Sequence, residues 1–254
     1  MSAQTAGLGR AFTRADGRDV IGVPFWNGLL SAFGALAITL AAGFLATMAL
    51  IYGIVLATGR MPSLNPAHPL VLCGDLASYT AAGWFAQWRL RVAGRAAFRS
   101  PRSADVRVIL VAAATLILIR IGMAFELIAT HQTAHVQRGF EHFAIVSETP
   151  AATIVSISLA LFVFIALAPV VEEMVFRGLL FGALAPRIGV LGAALVSSVL
   201  FGAAHGDAVL FPFIAALGFV CAVAYAASGN LWVPITLHAL SNVVGAAFLL
   251  TSSG

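Results

Sequence analysis

The stretch TIVSISLALFVFIALAPVVEEMVFRGLLFGALA, residues 153–185, decides how this chain folds. It is apolar enough and long enough to cross a hydrocarbon core of about 30 Å, which takes about 20 helical residues. Yet Glu172, Glu173 and Arg177 interrupt it, and Pro169 stands near its middle. Proline lacks the donor that an interior helical residue supplies, and it disfavours helix in the residue before it. The two readings are therefore one long helix, or two shorter spans hinged at Ala168-Pro169.

Outward from this stretch the composition is that of a chain dissolved in lipid. Of 254 residues, 61% are hydrophobic and 9% charged, against roughly 25% charged in soluble domains. Apolar runs at 27–57, 69–88, 107–128, 153–168, 170–185, 189–204, 208–227 and 231–251 predict an all-α polytopic membrane protein of about eight transmembrane helices, with six or seven as alternatives. The first 26 residues form an amino-terminal segment, 27–150 the amino-terminal helices and loops, and 151–254 the region that holds the chemistry. The first apolar run continues to Ala57, longer than a cleavable secretory signal, so it reads as a retained span.

All fourteen basic residues are arginines, and six of them lie between Arg89 and Arg107. Flanking apolar spans and in short loops, they fit the positive-inside rule and not a nucleic-acid face. Arg10, Arg14 and Arg18 stand two spans away, hence on the same side, which predicts a cytoplasmic amino terminus. Cys73 and Cys221 both fall in apolar runs and read as small hydrophobic residues, not as a disulfide. His131 and His135, in the polar segment 130–150, are spaced like two ligands but lack a convergent third, and that segment reads as an interfacial loop. Asp75, Arg120 and Glu126 read as pairing or snorkelling groups.

From Ala151 to the end only five residues are charged, and three of them are Glu172, Glu173 and Arg177. Charges inside a bilayer are costly unless paired or facing water, so such a cluster marks a functional site. Four residues apart on a helix, Glu173 and Arg177 can pair, leaving Glu172 about 100° round the axis as a candidate general base. His205 closes a span four residues after Phe201, and His238 and Asn242 share one helix face in the last. An imidazole and an amide there can donate to an oxyanion, or hold a metal ion or water. The bland alternative is that the same groups are an ion pair and interhelical hydrogen bonds that fix packing. Ser241 lacks a nucleophile-elbow context and fills the helix face.

Glu172-Glu173-x-x-x-Arg177, then Phe201-x-x-x-His205, then His238-x-x-x-Asn242, in that order, resembles the CAAX-protease and bacteriocin-processing (Abi) family of intramembrane proteases over residues 150–250. The resemblance implies peptide-bond hydrolysis by a water that Glu172 and His205 activate, with His238 and Asn242 stabilising the oxyanion and Glu173 and Arg177 supporting. Members have been described both as metalloproteases and as metal-independent glutamate proteases. A divalent ion such as zinc on Glu172, His205, His238 and Asn242 is thus the alternative to no cofactor. The implied partners are a membrane-associated peptide or protein substrate and the bilayer of a bacterial cell membrane. A non-catalytic immunity or scaffold protein of the same fold and a proton- or cation-coupled carrier are the rival functions.

Convergence of these residues bears on the span count. Were 153–185 a single span, Glu172 would be expected near one membrane face and His205 near the other. A break at Pro169 instead puts Glu172 at the start of one span and His205 at the end of the next, both on the cytoplasmic side, which favours eight spans. His238 then lies about 10 Å into a span that begins on the opposite side, unless Pro234 kinks that helix or the helix starts earlier.

Overall fold

In a computed structural model, residues 23–61, 69–94, 98–130 and 150–252 are described. Arg10, Arg14, Arg18 and the His131/His135 segment lie outside them. The described residues form helices and no strand: α1 Phe25–Thr58, α2 Pro69–Val92, α3 Ser103–Ala129, α4 Pro150–Leu161, α5 Ala168–Glu173, α6 Gly182–Ala204, α7 Phe211–Ser228 and α8 Trp232–Ser252. Two π-helical segments, Phe162–Leu167 and Met174–Phe181, join α4 to α5 and α5 to α6. Among the described residues four helical stretches are long and apolar enough to cross a membrane: Phe25–Thr58, Ser103–Ala129, Thr153–Ala204 and Phe211–Ser228. Leu40, Phe44, Leu110, Leu118 and Phe125 are among the large apolar side chains left on their outer faces, as a lipid-facing surface requires.

The expected break at Pro169 does not occur, and the expected fourth and fifth spans are one helix. The π-helical turn before the proline explains this. Ala168 N–H reaches back five residues to Val163 O, and this wider turn takes up the proline ring and its missing donor where a regular α-helix would clash.

The chain reverses at Gly189 instead. Phe176 and Phe201 would be about 37 Å apart along a straight helix, yet their ring centroids are 5.0 Å apart, at an interplanar angle of 85°. Gly189 has φ 75° and ψ 166°, a region essentially restricted to glycine. A Cβ there would meet nothing within 4 Å, so Gly189→Ala is expected to lose about 2 kcal/mol of unfolding free energy through backbone strain alone. Gly53, helical and equally uncrowded, is the control: Gly53→Ala should stabilise by about 1 kcal/mol. Denaturant unfolding of the two variants checks both signs.

Two compact units are present. Among the described residues, one comprises 23–33, 86–94, 98–121 and 172–238. In it α6 packs along α7 and against the π-helical segment Met174–Phe181, with an apolar core that includes Leu116, Cys221, Val233 and Leu237. Close approach of α6 and α7 depends on Gly202, where a Cβ would come within 3.1 Å of Ala215, the Phe211 ring and the Phe211 carbonyl. The α2–α3 connection is tied to the α7–α8 turn. Arg99 pairs bidentately with buried Asp105 and donates to the Ser228 carbonyl at 2.7 Å, and Asn230 Nδ2 donates to Asp105 at 3.2 Å.

Among the described residues, the other unit comprises 34–61, 69–85, 122–130, 150–171 and 239–252. There α1 and α2 approach through small residues, since a Cβ on Gly74 would overlap Thr47 and one on Gly43 would press on Ser78, the packing by which helices associate in lipid. Cys221 is buried and Cys73 exposed, both as free thiols.

Candidate active site

Six of the seven residues singled out in the sequence lie in the first unit, and side-chain contacts string them together. Glu173 and Arg177 are fully buried and paired, Oε2 to Nε at 3.1 Å. The Arg177 Nη2 donates to the Gly218 carbonyl at 2.8 Å, and its guanidinium lies 4.6 Å from the Phe201 ring centroid. An arginine can be held inside a membrane protein in this way because a carboxylate, a carbonyl and an aromatic face replace its water.

On its other oxygen Glu173 meets His238, Oε1 to Nδ1 at 3.0 Å. That contact turns the opposite ring nitrogen toward Glu172, whose Oε2 stands 3.9 Å from His238 Nε2. The two adjacent glutamates therefore differ sharply. Glu173 is 0% exposed and holds both a cation and an imidazole, whereas the Glu172 side chain keeps 16% of its surface accessible.

The Phe201 ring sits between two imidazoles, its centroid 4.8 Å from that of His205 and 5.5 Å from that of His238. His205 follows the last turn of α6 and is exposed. Its Nδ1 lies 2.8 Å from the Phe201 carbonyl. A carbonyl only accepts, so Nδ1 carries a proton; in the neutral ring Nε2 then presents a lone pair that can accept a hydrogen bond from water.

The depths agree without a break at Pro169. Leu90 and Leu231 both pack where a Cβ on Gly178 would be, so the end of α2 and the start of α8 are level with Gly178. Glu172 is six residues before Gly178 and His238 six after Trp232, placing both about 9 Å in from that end. Phe201 is level with Arg177, and four residues on from each, in opposite chain directions, stand His205 and Glu173. The expectation that α8 begins at the end opposite the arginines is thus corrected. Because 150–188 is one helix, one crossing disappears, and the bond from Arg99 to Ser228 puts the α7–α8 turn at the arginine-bearing end. Pro234 introduces no kink, since it lies in the first turn of α8, where a donor is not needed.

Asn242, the seventh residue, belongs to the second unit, where its Nδ2 donates to the Phe164 carbonyl at 2.8 Å. Gly218 escaped sequence reading. Its contribution is a backbone carbonyl, and an apolar run containing one glycine carries no sign of that. Among the described residues no group of three His, Cys, Asp or Glu side chains is arranged to hold a metal ion.

A family model described as type II CAAX prenyl endopeptidase Rce1-like matches residues 154–244, a segment that contains Glu172 through Asn242. That segment is thus similar to the Rce1-like CAAX protease family. Over 74 residues the chain is 40% identical to a Bacillus subtilis protein named "Putative membrane peptidase YdiL", covering 29% of this chain and 30% of that one. Over 97 residues it is 33% identical to the "Membrane-embedded CAAX protease MroQ" of Staphylococcus aureus, covering 35% and 39%. The matched regions thus span about a third of these relatives' lengths. No solved structure matches the chain. With four helical stretches of crossing length among the described residues, the chain is an integral membrane protein.

Proposed function

We propose that this chain is an intramembrane endopeptidase that hydrolyses a peptide bond of a membrane-associated peptide or protein. The observation that carries the reading is the partition of the two neighbouring carboxylates. Glu173 is buried and spent on Arg177 and His238, while the Glu172 side chain keeps 16% of its surface accessible, with its buried Oε2 facing the same imidazole. A purely structural cluster has no need of a second, accessible acid at that depth.

In the proposed reaction Glu172 accepts a proton from a water whose second proton hydrogen-bonds to His205 Nε2. The water oxygen adds to the scissile carbonyl carbon, and the negative charge passes to the carbonyl oxygen. His238, as an imidazolium with Nδ1–H on Glu173, donates from Nε2 to that oxyanion. The C–N bond then breaks, and the proton held by Glu172 passes to the leaving amine. Glu173 and Arg177 orient His238 and do not react. The arginine-bearing end, with Trp26, Trp88 and Trp232 exposed at helix ends beside it, is read as the cytoplasmic face of a bacterial cell membrane, and substrate enters from it.

A membrane-tethered fluorogenic peptide, incubated with purified protein in proteoliposomes, tests the reading. Wild type should cleave it. His205→Ala should lower kcat about 100-fold with an unchanged unfolding midpoint, because the ring is exposed. Equal turnover in wild type and variant removes His205 from the mechanism, and ion flux without cleavage in the wild type would replace the peptidase with a carrier.

A further inference from the structure

Away from the candidate active site, α3, α6 and α7 of the first unit enclose an apolar groove of about 780 Å³. It runs from Arg107 to Ile119 along α3 and from Ala227 to Pro212 along α7. Twelve helical residues on the α3 side make this about 18 Å, slightly more than the acyl depth of one leaflet, half of an ~30 Å core. Its walls carry no acidic residue, and its basic group, Arg107, stands at one end. Arg107 is exposed, as is Arg102 one turn earlier. Asp105, the acid nearest to them in sequence, is already held by both Arg99 guanidinium nitrogens and the Arg102 backbone N–H. A positive charge at headgroup level therefore caps a trough of acyl-chain length.

We infer that this groove is a binding site for an anionic phospholipid of the surrounding bilayer, its acyl chains along α3 and α7 and its phosphate on Arg107. Charge complementarity selects this occupant over a neutral lipid or an apolar helix, neither of which has a use for a cation at the rim. The inference does not depend on the peptidase reading. The site does adjoin the proposed active site: Ser198 lines the groove, and its Cα would lie 3.2 Å from a Cβ on Gly218, whose carbonyl holds Arg177.

The test is lipid retention by the full chain, purified from vesicles of equal phosphatidylglycerol and phosphatidylcholine and read by native mass spectrometry. Phosphatidylglycerol should be retained preferentially. Arg107→Gln should lower its retention about fivefold, the effect of one basic residue at a membrane surface, while phosphatidylcholine retention stays unchanged. Ala216→Trp should block the trough and remove the bound lipid. Val111→Trp, at a position 69% exposed on the outer rim, is the second blocking variant should Ala216→Trp fail to fold. Retention indifferent to Arg107→Gln would leave only unselective boundary lipid and overturn the inference. Equal stabilisation of the protein by glycerol phosphate without chains, or displacement of phosphatidylglycerol by an apolar transmembrane peptide, would overturn it as well.

Discussion

Glu172→Gln is expected to lower peptide turnover about 1000-fold while leaving the protein folded. Glutamine keeps the size and polarity of the side chain but does not take the proton of the attacking water, and general-base catalysis is worth about 100- to 10,000-fold. A value toward the upper part of that range follows from position. The neighbouring carboxylate of Glu173 is locked between Arg177 at 3.1 Å and His238 at 3.0 Å, so it does not substitute as base. The measurement is the initial rate on a membrane-tethered peptide, with the unfolding midpoint of the variant as control. The effect should appear in kcat and not in KM, because the acid acts on water and not on substrate binding. Turnover within twofold of wild type would dismiss Glu172 as the base.

Arg177→Ala should have the largest effect on stability. It leaves the Glu173 carboxylate fully buried without its guanidinium partner, takes the donor from the Gly218 carbonyl and removes the charge over Phe201. Removing one partner of a buried pair costs about 3–5 kcal/mol, which corresponds to a fall in the unfolding midpoint on the order of 10 °C. The double variant Glu173→Gln/Arg177→Met should regain much of that loss, because neither charge then stays buried alone. It should remain inactive even so, since His238 loses the carboxylate that orients it. A single variant within 1 °C of wild type would show that Arg177 is not held as the geometry indicates. A double variant with wild-type turnover would show that Glu173 has no part in orienting His238.

These two predictions concern residues that the chain displays openly. Acids and arginines are so scarce between Ala151 and the carboxyl end that Glu172, Glu173 and Arg177 stand out against the apolar background, and the burial cost of charge makes such groups meaningful wherever they occur. The i,i+4 spacing also anticipates the Glu173–Arg177 pair, because that contact is made within one helix and needs no knowledge of its neighbours. The same locality explains what could not be read. The Gly218 carbonyl on Arg177, the Phe201 ring against His238 and the Nδ1 contact of His238 with Glu173 join residues 37 to 65 positions apart, and no local pattern encodes them.

Residues 153–185 illustrate the division most clearly. Their apolar composition, by itself, determined a helix of membrane-crossing character bearing an acid-acid-arginine cluster, because transfer of nonpolar side chains and the need to pair backbone groups in lipid leave little alternative. Whether Pro169 breaks that helix was a matter for the tertiary structure. A π-helical turn absorbs the proline, while Gly189, with a backbone conformation open only to glycine, makes the reversal. That shift of the turning point by twenty residues changes which helix ends lie together, and it brings His205 and His238 to the level of Glu172 from the arginine-bearing end. The difference arises because local propensity gives the cost of a proline in a regular α-helix, whereas the actual cost depends on a widened turn and on the packing of the segment that follows.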